Sequence, residues 1–365
     1  MNITRSATYA IGVLTAAALI AGCSSGSGSS TSALGLAPGS ANSSHVAIPM
    51  KHHGHGIADT FIGVKWTGHV HSDTHKSWVS PDAALAPRLY FASNDGTNDV
   101  YIYTMPGMQL KGTLTGFSEP QGMCNDTHGN IYIANTSDFN VLEYSRTGTL
   151  LNTYPDAYGY PVGCAVDPAT GNLAVFDIFG LSGAGQVLVF SSPSGSPTVL
   201  TNPSGYFYYF GGYGPGSDLW VAGRDPSGTY QLSVCGSSSC STLALTGGTI
   251  YFPGAVQWDG SRSEWVVFDQ LCNDTTEACS YPVSGTTLGT PTVYSNYSGG
   301  NVCDLIQGTI AAHGMKYVAG GDYEYCGAAS SSYNRWGYTG GGTPTNYTTP
   351  DSAYALPVGA AISTK

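Results

Sequence analysis

From Pro81 onward the chain repeats one pattern of apolar and polar positions: a turn bearing Asp and Gly, an apolar strand, a polar loop, a second aromatic strand and a short third. The clearest copy runs Asp126-Thr-His-Gly-Asn-Ile-Tyr-Ile-Ala-Asn135, then Asn140-Val-Leu-Glu-Tyr144, then Gly148-Thr-Leu-Leu-Asn-Thr-Tyr154. Matching strands are expected to begin at Leu89, Ile131, Leu173, Leu219, Trp265 and Lys316, at spacings of 42, 42, 46, 46 and 51 residues. A period near 45 with several short strands per unit predicts propeller blades, because one four-stranded sheet cannot cover both of its own faces. The fold class read from this pattern is all-β, a six-bladed β-propeller.

A second repeated element precedes three of these strands: Pro120-Gln-Gly-Met-Cys-Asn-Asp126, Pro161-Val-Gly-Cys-Ala-Val-Asp167 and Pro253-Gly-Ala-Val-Gln-Trp-Asp259. Small side chains suit the innermost strand of a blade, where sheets converge on an axis. The Asp opens a turn whose Gly relieves the backbone, a structural use that outweighs catalysis for these carboxylates. The first blade lacks such a strand, since Pro81-Asp-Ala-Ala-Leu-Ala-Pro87 leads straight into Arg88-Leu-Tyr-Phe-Ala92. Pro357-Val-Gly-Ala-Ala-Ile-Ser363 repeats the missing element, with Ser in place of the final Asp. A C-terminal strand that completes the N-terminal blade closes the ring and leaves no open seam. Residues 300–350 are irregular and leave a seventh blade open.

The segments 126–135 and 140–148 resemble an NHL-type repeat and the related propellers of the gluconolactonase and virginiamycin B lyase kind. The resemblance is good over 119–177, fair over 88–118 and weak beyond about 200. It implies a propeller whose upper-face loops bind something, with functions from protein interaction to metal-dependent hydrolysis or elimination. The enzymes among these relatives use a metal near the axis or a catalytic His, and a complete set does not map here.

At the N-terminus, Arg5 precedes an apolar run from Ala7 to Ala21, too short for a membrane span and of the length of an export signal. Its end, Leu19-Ile-Ala-Gly-Cys23, resembles the lipobox of bacterial lipoproteins, which implies a lipidated Cys23 and, with Ser24 following, the outer membrane. Several acyl chains on one residue anchor stably where a single chain does not. The expected organisation is therefore a signal peptide over 1–22, a lipidated tether over 23–80 that is Ser/Gly-rich and then His-rich, and a propeller over 81–365. Residues 24–44 carry too few large apolar groups to offset the entropy of ordering.

Charge narrows the partners. With 12 Lys plus Arg against 23 Asp plus Glu the net charge is -11, so no basic stripe for nucleic acid can form. The expected partners are the membrane, through Cys23, and a protein or glycan ligand on one propeller face, with the protein a monomer. With Cys23 set aside, eight cysteines remain, an even number in an exported chain, which favours disulfides. Cys235 with Cys240 and Cys272 with Cys279 each bracket a hairpin loop; Cys124 and Cys164 lie in adjacent inner strands, which leaves Cys303 with Cys326.

Candidate chemistry is sparse. The residues ending each second strand should approach the upper channel mouth, and Asn135, Asp177 and Asp269 among them could bind calcium or magnesium through oxygen. The plainer reading is that Asn and Asp start turns. Asp95, Arg224, Asp225, Asp322, Tyr323 and Trp336 are expected to make this face polar and ligand-facing. His128 and His313 read as surface turn residues, and no GxSxG-type nucleophile motif is present. Six histidines, His52, His53, His55, His69, His71 and His75, crowd the tether and could wrap a transition metal. The leading reading is a non-catalytic binding module. The alternatives are a metal-dependent hydrolase or lyase of the gluconolactonase-like class, and metal binding by the tether.

Overall fold

A computed structural model describes residues 33–34, 46–47, 76–180, 183–205, 207–272, 277–302, 304–311, 317–322, 330–350 and 356–364. The signal segment, Cys23, the six tether histidines, His313, Tyr323, Cys303 and Cys326 lie outside the described residues.

The alternating apolar runs form antiparallel ladders, and the described strands fall into six consecutive sets. The first combines Arg88–Asn94, Asp99–Thr104 and Leu110–Leu114 with the C-terminal strand Pro357–Thr364 on its inner side. The second holds Pro120–Asn125, Ile131–Asn135, Asn140–Tyr144 and Leu150–Pro155; the third Gly159–Val166, Leu173–Gly180, Gln186–Phe190 and Thr198–Leu200. The fourth holds Phe207–Tyr213, Leu219–Arg224, Tyr230–Cys235 and Cys240–Leu243. The fifth is built on Pro253–Asp259, Glu264–Asp269, Ala278–Ser284 and Thr292–Tyr294, the sixth on Thr309–Ile310, Tyr317–Asp322, Ser332–Gly337 and Gly341–Thr348. One parallel pairing, Tyr294 with Gly342, joins the outer strands of the last two sets into a continuous sheet. Trp78–Val79 adds a short outer strand to the first set, so strand structure begins before Pro81.

Period-2 alternation gives each strand two faces, and each face packs on a different neighbour. Leu89 and Phe91 meet Met123 and Ile131 of the second set, whereas Tyr90 and Ala92 meet Ala319 and Tyr333 of the sixth. Apolar clusters likewise join the second set to the third, the third to the fourth, the fourth to the fifth and the fifth to the sixth. The fourth and fifth sets meet through Trp220 stacked on Trp265, ring centroids 4.4 Å apart. The first strands of the sets also touch in sequence and return to the start, from Pro357–Thr364 through Pro120–Asn125 and onward to Thr309–Ile310.

Small residues permit that convergence. In four inner strands a glycine lies against a carbonyl of the next inner strand: Gly359 on Gln121, Gly122 on Val162, Gly163 on Tyr209 and Gly212 on Val256. A Cβ on Gly122 would sit 2.6 Å from the Val162 oxygen and 2.7 Å from Phe210 Cε1. Neither the backbone nor a ring buried in the central cluster can move aside cheaply. Gly122→Ala should therefore cost about 1–3 kcal/mol, the usual range for overpacking. Chemical denaturation would measure it, and an unchanged midpoint would show that the inner strands can separate.

Three disulfides are present among the described residues: Cys124–Cys164, Cys235–Cys240 and Cys272–Cys279. The first links the inner strands of the second and third sets across 40 residues, while the others close local loops of separation 5 and 7. Loop-closure entropy grows with the closed length, so Cys124→Ser/Cys164→Ser should lower stability by about 2–4 kcal/mol and exceed the effect of Cys235→Ser/Cys240→Ser. Paired denaturation curves of the two double variants decide the ranking.

No helix among the described residues is long and apolar enough to cross a membrane.

Candidate functional site

The inner strands run in one sense along the common axis, so their two ends differ. At the end where they begin and the second strands finish, Val162, Ile178, Phe179, Phe207, Tyr209, Phe210, Phe252, Leu271, Ile306 and Val358 form a central apolar cluster. This is the end at which the sequence suggested a polar channel mouth.

Asn135, Asp177 and Asp269 do lie at equivalent strand ends, each engaged within its own set. Asn135 accepts from the Ser118 backbone N–H and donates to Asp138 and Asn140. Asp269 accepts from the backbone N–H groups of Tyr251, Phe252 and Leu271. Burial pushes its carboxyl up to about 6, against those hydrogen bonds. Asp177 accepts from Gln186 Nε2 at 2.8 Å and faces Asp156, a residue that composition and spacing did not single out. Burial, and then the charge of Asp156, drive Asp177 well above the ordinary carboxylate range. Burial also raises Asp156, which accepts from the N–H groups of Tyr158 and Gly159. Burial thus disfavours the ionised form of both carboxyls, and the charge of Asp156 adds to it at Asp177. Among the described residues no group of three or more His, Cys, Asp or Glu is placed to hold a metal ion.

The expected ligand face needs correction. Trp336 is fully buried, because Ser332–Gly337 is an interior strand whose alternation sends the indole onto Tyr294 and Phe268 of the fifth set. Its Nε1 donates to the Ser295 carbonyl. Tyr333 is buried on the opposite face among Tyr90, Tyr101 and Tyr103. Asp322 is fully buried, and Asp95 is 7% exposed with its carboxyl pushed up to about 8 by burial and then by the charge of Glu119. Arg224 donates to the Gly228 carbonyl and lies over the Phe252 ring at 4.7 Å. Asp225 is a turn residue accepting from Ser227 and Thr229.

At the other end of the axis the inner strands surround an open cavity of about 500 Å³. Its wall is mostly backbone and small side chains contributed by all six sets, with Gly211, Gly212, Gly308, Ala165, Ala255 and Ala360 among them. Gln307 crosses part of it, accepting from Met123 and Ala360 N–H and donating to the Met123 carbonyl, so one side chain stands in where the two-residue strand Thr309–Ile310 is too short. Gln257 pairs both ways with Ile310 in the same manner.

The mouth is formed by the turns that follow each inner strand. Asp126 accepts from His128 and Asn130, Asp167 from Ala169 and Thr170, and Asp259 from Ser261. These contacts are the turn-opening use expected for these carboxylates. Burial alone would raise the Asp259 carboxyl, but hydrogen bonds from Ser261, Tyr338 and the Arg262 backbone outweigh it and hold the group low. His128 stands exposed on its turn, Nδ1 3.7 Å from Asp126. Trp258 and Tyr213, both half-buried, supply the aromatic surface of the cavity.

No family model matches the chain, and no curated protein matches it. Solved structures do: 855 chains match it, and a fold does not by itself specify an activity. One is the crystal structure of a protein of unknown function from Bacteroides caccae, 11% identical, TM-score 0.57, covering 77% of this chain and 100% of its own.

Proposed function

We infer that the six strand sets are the blades of a six-bladed β-propeller of NHL-like pattern, closed by the C-terminal strand, and that the protein is a non-catalytic binding module. The reading places it at a bacterial cell envelope, anchored through lipid on Cys23, with a protein or glycan as its ligand. The observation that carries it is the axial cavity: a preformed concave space, open at one end, whose Gln257, Gln307 and Asp126 side chains hold turns and strand edges. Small-molecule and peptide sites are concave and largely preformed in this way. A catalytic centre would need a carboxylate, imidazole or hydroxyl poised for proton transfer or attack, and the carboxylates at this mouth are held by their own turns.

The test uses the full chain purified from membranes. Cys23→Ser should move it from the membrane to the soluble fraction. Envelope extract separated into protein and glycan fractions should yield a saturable ligand from one of them. Metal-dependent turnover of sugar lactones or esters by the purified protein would overturn the reading in favour of a hydrolase or lyase.

A further inference from the structure

We propose that the axial cavity is a binding site for a short neutral saccharide, entering between the turns at Asp126, Pro168 and Gly260. The proposal rests on the reading of the chain as a binding module and names the ligand class and the end of the axis it uses.

Size comes first. A cavity of about 500 Å³ lies within the roughly 300–1,000 Å³ range of small-molecule sites and is too confined for a folded protein partner.

Charge comes next. Among the described residues that line the cavity none is Lys, Arg or His, while Asp126 and Asp259 stand at its mouth and the chain carries a net charge of -11. An anionic ligand would enter against that field with nothing to pair it. A cationic one would have to compete with the turn hydrogen bonds on these carboxylates. Asp126 is held by the His128 and Asn130 N–H groups and by Asn130 Nδ2, and Asp259 by Ser261. A neutral ligand avoids both costs.

The surface chemistry then selects hydroxyls. Trp258 lines the cavity with its indole packed edge-to-face on Trp265 at 5.6 Å and 74°, and Trp265 is itself stacked on Trp220. That train fixes the Trp258 plane before any ligand arrives. The electron-rich face of such a ring receives the C–H face of a sugar, whose hydroxyls point outward around it. From the exposed rim at Thr127 inward to the buried Thr309, with Asn125 between them in burial, the lining offers amide and hydroxyl groups of the neutral kind that sugar hydroxyls match.

The full chain is titrated with N-acetylated chitotriose, cellotriose and maltotriose, and in parallel with trigalacturonate and the trimer of glucosamine, by tryptophan fluorescence and calorimetry. At least one neutral trimer should bind saturably with a fluorescence change, and the two charged trimers should not. Trp258→Leu should weaken binding tenfold or more. Because that change also touches the packing on Trp265, Thr127→Arg provides a second variant: its site is exposed at the rim, and a long side chain there should block entry without disturbing the core. Neutral-trimer binding unaffected by either variant would overturn the assigned site. Binding of a charged trimer instead would overturn the ligand class. If no trimer binds while an envelope protein is captured, the saccharide inference falls and the binding-module reading stands.

Discussion

Removing residues 357–365 should abolish cooperative folding, and adding the peptide Pro-Val-Gly-Ala-Ala-Ile-Ser-Thr-Lys back in trans should restore it. The strand Pro357–Thr364 pairs along the length of Arg88–Asn94, and seven of its eight residues are buried. Val358 belongs to the central apolar cluster, Ala361 to the cluster shared with the second set and Ile362 to the one shared with the sixth. The strand thus closes three hydrophobic contacts at once. Burying Val and Ile side chains contributes about 1.5–3 kcal/mol each, and each ladder hydrogen bond about 1 kcal/mol. Together these approach the roughly 5–15 kcal/mol net stability of a typical domain. Two polar anchors go as well: Ser363 donates to the Gly129 carbonyl and Gly359 N–H to Ser93 Oγ. A truncated chain would expose Arg88–Asn94 as an unpaired edge, a template for aggregation. Circular dichroism and a urea curve with and without peptide measure this. A truncated chain that unfolds cooperatively at the original midpoint would disprove closure by this strand.

Stability should peak near pH 4–5 and fall toward pH 8, below the range in which most proteins are most stable. Asp95 has a folded pKa of about 8 against an ordinary value of 3.8, raised by burial first and by Glu119 second. A raised carboxyl folds best protonated, so its contribution is complete below about pH 4 and is lost as pH climbs to 8. At about 1.4 kcal/mol per unit the loss is on the order of 5 kcal/mol. Asp269, raised to about 6, and the Asp156–Asp177 pair act in the same direction. Asp167, Asp225 and Asp259 act oppositely. Burial works against their ionised forms, but turn hydrogen bonds hold each below the usual value, so their contribution is lost only as pH falls below about 4. Urea midpoints from pH 3 to 9 should trace this maximum, and Asp95→Asn should flatten its alkaline limb. A midpoint rising between pH 5 and 8 would rule out protonated burial of these groups.

The features legible in advance share a local cause. Strand starts near Leu89, Ile131, Leu173, Leu219 and Trp265 fall within one residue of the observed strands, because alternation and turn chemistry are written into neighbouring residues. The recurrence of Pro-x-Gly at 120–122, 161–163 and 357–359 marked inner strands, since a glycine is needed where another backbone touches. Cys235–Cys240 and Cys272–Cys279 were readable as hairpin clips and Cys124–Cys164 as a bridge between neighbouring sets.

The candidate site was less legible. Trp258 lies inside a segment recognised as an inner strand, yet nothing in its spacing distinguished a cavity wall from core. Trp336 looked like a surface aromatic because its neighbourhood is rich in Ser, Gly and Tyr, but an interior strand buries both of its faces. Asp156 and Asp177 are 21 residues apart, and Gln307 reaches Met123 across 184. Trp78–Val79 is too short to carry a period.

By itself the sequence determined the repeat, its strands and turns, the place of the C-terminal segment as a strand of the first set and the all-β class, because hydrogen-bonded turns and period-2 alternation depend on residues close together in the chain. Only the tertiary structure decided which end of the axis is plugged and which is hollow, which carboxyls are buried against one another, and which aromatics reach the cavity. Those outcomes depend on which face of each strand meets which neighbour. A strand's own residues specify that it has two faces, but the burial and dielectric around each one are set by sheets tens to hundreds of residues away.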